Sequence, residues 1–440
     1  MVNKCKGSNI MKIQRIAIDG FKNLCDVDIS FSKITALVAL NNFGKSNFLT
    51  GIDFGLKFIH GNKEKRKNML SSARFIPINR GSINKHFSFE IEAVTTIKNI
   101  PYRTVYGYSC NWITNDEDPL EILTEYLKIK IDEKGQKYNQ FINRKKENAL
   151  YKSSETGRCS VTTQIENDEL VINKLRAFDQ LYYIDVVKRI NDLRLYNENN
   201  LDAKEFYVPD PIIQKGIVDS IIDSTNLPRV IARLKQLNPD KYELLLDAYK
   251  QLFPNIQDVI VKELQFNRDG DLRIPDDAPF IVTNSVYLLF VDDKTLSKLI
   301  DFESMSDGAK RVFMILTKIV MASISEKSIS LIAIEEPENS VHPSLFKAYL
   351  QIIEELLEDC KVIITSHSPY VISFLELEDI YVGLHNDGGI ATFSGFKKTR
   401  IKTLMEDAAS VDMSIGDYIF TLLTDEENEM KKYLECGMDE

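Results

Sequence analysis

Apolar and polar residues alternate near the N-terminus, and the period then changes. KIQRIAIDGF (12–21) and CDVDISF (25–31) follow a two-residue repeat, which predicts half-buried strands joined by a turn at Lys22-Asn23. ITALVAL (34–40) is apolar throughout, the pattern of a strand buried on both faces. Beyond Gly44, residues Leu49, Ile52, Leu56 and Ile59 recur at helical spacing. The charged stretch GNKEKRKN (61–68) reads as a solvated loop or helix end, and KHFSFEIEAVTTI and TVYGYSC read as strands. Residues 113–155 show no assignable period.

From about 165 to 262 the pattern is helical, in DELVINKLRAFDQLYYIDVVKRINDL (168–193), DPIIQKGIVDSII (210–222) and LPRVIARLKQL (227–237), with prolines as punctuation. Strand-like runs return at DVIVKELQF, PFIVTNS and VYLLFVDD. Then helix, strand, helix and strand follow in AKRVFMILTKIVMASI, ISLIAIEEP, SLFKAYLQIIEELLED and KVIITSHSP. Strands alternating with helices of that length predict a parallel sheet and an α/β fold. The divisions fall at 1–165 (N-terminal lobe), 166–262 (helical insertion), 263–395 (C-terminal lobe) and 396–440 (a tail that docks a partner or covers the rest).

Candidate chemistry sits where apolar runs stop. ALVALNNFGKSNFL (36–49) is nearly the phosphate-cradling G-x-x-x-x-G-K-[ST], with Ala39 at the first glycine. Backbone N–H groups of such a loop encircle a phosphate, Lys45 reaches the β- and γ-phosphates, and the Ser46 hydroxyl meets Mg²⁺. The bland alternative is an ordinary strand–turn–helix. In SLIAIEEPENSVHP (330–343) a buried strand ends in Glu335 and Glu336, a costly arrangement unless the acids meet a cation or donors. A Mg²⁺–ATP site supplies both needs, with Glu335 on the metal side and Glu336 as general base. KVIITSHSP ends at His367, at the strand end where parallel α/β sheets bind ligands. Ser306-Asp307-Gly308 opens a helix with Ser306 as N-cap.

Composition narrows the class only slightly. Of 440 residues, 44% are hydrophobic and 27% charged, as in a globular protein, and no run is long and apolar enough to span a membrane. Six scattered cysteines without a C-x-x-C pair argue against a zinc or disulfide framework and fit a reducing cytoplasm. A net charge of −10 argues against a chain that coats nucleic acid throughout, though it leaves room for a local basic groove.

Taken in order, the phosphate loop, the S-D-G helix start, the E-E-P-E strand end and the T-S-H-S strand end resemble the ABC-type ATPases of the SMC/RecF-like branch. Within it they look most like the AAA_15/AAA_21 group, which includes the ATPase half of OLD-family nucleases. IQRIAIDGFKNLCDVDISF is similar to that group's opening hairpin, EEPENSVHP to its Walker B and D-loop run, and SMSDGAKR to its signature. The resemblance implies an ABC-type P-loop ATPase head, with mixed or parallel sheet and a helical insertion, that dimerises head to tail around ATP and Mg²⁺. Carried onto this chain, Asn41, Asn42, Phe43, Gly44, Lys45, Ser46 and Asn47 cradle the phosphates. Ser46 and Glu335 serve the metal and Glu336 the attacking water, while His367 is the switch histidine, bonded to the γ-phosphate or to the attacking water. Ser306 and Gly308 touch the γ-phosphate of the opposite subunit, Ser340 lies at the dimer seam, and Lys22 approaches the α-phosphate or the base. The Q-loop glutamine stays open among Gln136, Gln140 and Gln164. The stretch after His367 is short and has no D-x-D, so a TOPRIM nuclease is not expected. The group therefore implies a regulatory ATPase for a separate nuclease or toxin effector in anti-phage defence, answering a DNA or phage-derived trigger. The alternatives are a RecF-like clamp on duplex DNA, carried by the basic clusters at 63–67, 144–146 and 397–402, and a nucleotide-binding scaffold without turnover.

Overall fold

Two-residue alternation becomes alternating burial in the first strands. In β1 (Lys12–Asp19), Ile13, Ile16 and Ile18 are buried, and in β2 (Val27–Ser30) Val27 and Ile29 are. The structure, a computed structural model, describes residues 11–115, 117–178, 180–198, 211–214, 226–266, 275, 277–324, 329–339, 341–357, 360–384, 388–424 and 429–435. The chain divides into one unit of residues 1–198, 327–336 and 359–440 and a second of residues 199–326 and 337–358.

In the first unit, β3 (Ile34–Val38) is buried at all five positions, as its apolar run requires. It leads through the phosphate-loop segment into α1 (Lys45–His60). The charged stretch that follows is a helix, α2 (Lys63–Leu70), because the Asn62 side chain accepts the Lys65 N–H at 2.8 Å and caps it. Then come β4 (Phe87–Ile97), β5 (Ile100–Cys110), β6 (Ile122–Ile131), β7 (Asn139–Lys145), β8 (Asn148–Tyr151) and β9 (Val161–Thr163). With β1 and β2 they form an antiparallel eight-stranded sheet ordered β2-β1-β4-β5-β6-β7-β8-β9. Phe54 of α1 packs among Phe87 (4.9 Å between ring centroids), Phe21 (5.2 Å) and Trp112 (5.6 Å). Each such buried ring contributes about 2–3 kcal/mol.

The single helical stretch expected at 168–193 is two short helices, α3 (Val171–Leu175) and α4 (Ile184–Asp192). Buried Glu125 of β6 fixes the start of α3 by accepting the N–H groups of Val171 (2.6 Å) and Ile172 (2.9 Å). A strand the sequence did not announce follows, β10 (Arg194–Glu198).

The second unit opens with β11 (Ile212–Gln214), which corrects the helix expected over 210–222. These residues pair antiparallel with residues 280–282, and 215–222 lie outside the described residues. α5 (Leu227–Leu237) and α6 (Pro239–Leu252) form as expected, followed by β12 (Ile256–Gln265), β13 (Phe280–Val282), β14 (Ser285–Asp293), β15 (Ile300–Asp301) and α7 (Asp307–Ile324). Its core joins α6 to α7 through Tyr249, whose ring lies 4.9 Å from Phe313 and whose hydroxyl donates to the Ala309 carbonyl at 3.2 Å.

β16 (Ile329–Glu335) belongs to the first unit and α8 (Pro343–Leu356) to the second. β17 (Lys361–Ser366), α9 (Pro369–Phe374), β18 (Ile380–Leu384), β19 (Thr392–Gly395), α10 (Lys398–Ser410) and α11 (Ile415–Thr424) complete the first unit. Its second sheet runs β10-β16-β17-β3-β18-β19, parallel except for β19. The boundaries of the two units do not coincide with sequence-based divisions at 165, 262 and 395. The tail packs within the first unit: a Cβ on Gly416 of α11 would lie 2.0 Å from the Pro369 carbonyl oxygen of α9, so only glycine permits this approach. Ile419 and Leu422 are buried there, and Phe420 and Leu423 are partly covered.

Candidate active site

Parallel pairing decides what meets at the end of the second sheet. β3 lies beside β17, and β17 beside β16, with Val38 opposite Ser366 and Thr365 opposite Glu335. The C-terminal ends of all three strands are therefore level. Residues that are 289 positions apart in sequence become neighbours: the Ser46 hydroxyl donates to Glu335 Oε2 at 2.7 Å.

The loop after β3 is held open by two unusual backbone positions. Asn42 has φ 59° and Gly44 φ 133°. A Cβ at Gly44 would lie 2.7 Å from the Ala391 Cβ and 3.1 Å from Asn23 Oδ1, so this glycine is needed both for its dihedral and for the room. Ala39, which stands at the first glycine of the motif, is buried at the end of β3 and costs the loop nothing visible. Lys45 Nζ curls back across the loop and donates to the carbonyls of Ala39 (2.7 Å) and Leu40 (3.0 Å). Asn41 and Asn42 are exposed. The Phe43 ring is buried edge-on against Phe393 at 5.4 Å, so this residue offers the loop its backbone rather than its side chain.

The two carboxylates divide in direction. Burial pushes the Glu335 carboxyl above its usual range and neighbouring Glu336 adds to this, against the opposing pull of the Ser46 hydroxyl and of Lys45. Glu336 sits in the left-handed region (φ 49°), a conformation that costs a non-glycine residue about 1–3 kcal/mol. Its N–H bonds the Thr365 carbonyl at 2.8 Å, and its Oε1 lies 2.9 Å from His367 Nδ1. Glu335 thus meets Ser46 while Glu336 meets His367.

A Mg²⁺ ion fits this donor set. Ser46 and Glu335 present two hard oxygens in contact with each other, and among the described residues no cluster of three or more His, Cys, Asp or Glu side chains is built to hold a metal. A cation here would take its remaining ligands from phosphate and water, as Mg²⁺ does and as a caged Ca²⁺ or Zn²⁺ does not.

Asn47 does not simply face a ligand. Its Oδ1 accepts from Lys22 Nζ at 2.9 Å and its Nδ2 donates to Asn23 Oδ1 at 2.8 Å. The Lys22 ammonium is held below its ordinary range by burial and by Arg74. Asn23, which the sequence reading passed over, in turn donates to the Phe43 carbonyl at 2.9 Å. The only sequence signal for it was a polar residue in the turn between the first two strands. Ser306 and Gly308 belong to the second unit, at the start of α7, where the Ser306 hydroxyl accepts the Ala309 N–H at 3.3 Å as an N-cap. Ser340 lies outside the described residues.

A model of the AAA ATPase domain family (AAA_15) matches residues 11–372. The chain belongs to that family. No curated protein matches this AAA ATPase domain. Solved structures similar to it include an SMC head bound to the C-terminal winged-helix domain of ScpA (13% identity, 89% of this chain and 99% of that one, TM-score 0.45). Others are the SMC head domain from Thermotoga maritima (12% identity, 88% and 99%, TM-score 0.41) and the recombination mediator protein RecF-ATPrS of the RecFOR pathway (11% identity, 88% and 98%, TM-score 0.37). Among the described residues, no helix of this AAA ATPase domain is long and apolar enough to cross a membrane.

Proposed function

We propose that this AAA ATPase domain binds Mg²⁺–ATP on the loop of residues 41–46 and hydrolyses it, closing head to tail with a second copy. The observation that carries this is the meeting of Ser46 with Glu335 and of Glu336 with His367 at level strand ends. Ser46 and Glu335 hold the metal. Glu336, steadied by His367, takes the proton of the attacking water. Lys45 releases its two loop carbonyls to meet the phosphates. Ser306 and Gly308 of a second copy complete the pocket over the γ-phosphate. ATP then favours the closed pair over the open one through contacts made only when closed.

The output we propose is control of a separate nuclease or toxin effector, in the manner of defence ATPases. Its support is the likeness of the opening hairpin and of EEPENSVHP to the OLD-like group. The duplex-DNA clamp is less well supported. Arg144 of one basic cluster is buried, donating to the carbonyls of Lys146, Glu166, Asn167 and Glu169. Arg66 of another is buried beneath α1, and Lys63 beside it pairs with Asp168 at 2.6 Å. Phosphate release from ATP tests the enzymatic reading: the purified protein should require Mg²⁺, and Lys45→Ala should abolish turnover. Equal turnover in the two proteins would refute it.

A further inference from the structure

Four groups form one directed hydrogen-bond chain behind the phosphate loop. Lys22 Nζ donates to Asn47 Oδ1 (2.9 Å), Asn47 Nδ2 to Asn23 Oδ1 (2.8 Å), and Asn23 Nδ2 to the Phe43 carbonyl (2.9 Å). The direction is forced from both ends. An ammonium only donates and a backbone carbonyl only accepts, so both amides have one orientation that satisfies every link. The turn carrying Lys22 and Asn23 is itself fixed. Lys22 has φ 51°, the Asn23 carbonyl accepts the Ala391 N–H at 2.7 Å, and Ala391 packs against Gly44 beside Asn23.

We infer that Asn23 is a positioning residue for phosphate recognition: by clasping the Phe43 carbonyl, it aims the Gly44 N–H at the bound phosphate. The Phe43 carbonyl and the Gly44 N–H share one planar trans peptide, so they point in opposite directions. Holding the carbonyl on the side of the β1–β2 turn turns the N–H to the opposite side, where a loop of this type receives an anion. A donor fixed before the ligand arrives requires no reorganisation when it binds. Asn47 sets the orientation of Asn23, and Lys22 that of Asn47. The inference rests on the proposed nucleotide site and adds to it a residue that touches no nucleotide.

The test compares wild type, Asn23→Ala, Asn23→Asp and Asn47→Ala for binding of Mg²⁺–ATP and of inorganic pyrophosphate, with the thermal midpoint of the nucleotide-free protein measured alongside. Asn23→Ala is expected to raise both dissociation constants roughly tenfold, about the worth of one well-placed hydrogen bond, with little change in midpoint. Asn23→Asp keeps the acceptor for Asn47 but loses the donor to Phe43, and is expected to bind at least as weakly. Asn47→Ala, one link further away, is expected to lose less. Wild-type binding with Asn23→Ala unchanged overturns the inference alone, as does a loss that follows the thermal midpoint and spares pyrophosphate. Absence of binding by the wild type overturns the reading of the site and this inference with it.

Discussion

His367 Nδ1 lies 2.9 Å from Glu336 Oε1, one residue beyond the end of β17 and of β16 respectively. In the proposed reaction, His367 steadies the Glu336 carboxyl group that receives the water's proton.

Replacing that histidine should separate chemistry from binding. His367→Ala is expected to lower the turnover number about 100-fold, in the range of a disturbed general base, with the Mg²⁺–ATP dissociation constant nearly unchanged. Single-turnover hydrolysis beside equilibrium binding measures both. Equal losses in both quantities would move His367 from the chemistry to the binding of ATP.

His60 gives the fold an acid-sensitive point away from the site. It ends α1 against Arg194, and burial first, then that guanidinium, lower its pKa to about 4. Its folded pKa is depressed, so the unfolded chain takes up the proton first as pH falls. Its contribution is fully present above about 6.5 and is lost between there and about 4, to a limit of about 3 kcal/mol. Urea unfolding at pH 7.5 and pH 4.5 should show a smaller drop for His60→Gln than for wild type. An identical drop in the two proteins would mean that His60 titrates normally.

Arg144 should behave as a core residue. It bonds four backbone carbonyls from a buried position, so Arg144→Ala is expected to cost about 3 kcal/mol of stability by denaturant titration. Salt-dependent DNA binding weakened in Arg144→Ala, with stability intact, would restore the clamp reading.

What the sequence made legible was the part whose chemistry and period agree. β3, β16 and β17 are apolar runs that stop at polar residues, and each stop lies at the candidate site. What stayed hidden has physical reasons. In β6, Glu125 sits at 0% exposure, satisfied by the start of α3 and by Tyr106, so a buried acidic side chain interrupts the alternation there. β10 escaped notice because it is a short edge strand whose position comes from β16, more than a hundred residues away. Ile212–Gln214 carries apolar residues compatible with either period, and its pairing with β13 decided for strand. Asn23 could not be read from the sequence, because its importance lies in a neighbour twenty positions on, Phe43.

In the proposed function, Lys45, Ser46, Glu335 and Glu336 form one Mg²⁺–ATP pocket that a second copy completes. Sedimentation of Glu336→Gln protein with and without Mg²⁺–ATP tests it most directly, because slowed hydrolysis preserves the loaded state. The expected result is a shift from monomer-sized to dimer-sized species with one ATP retained per chain, lost again when Lys45→Ala is added. A species of unchanged size that retains no ATP would contradict it.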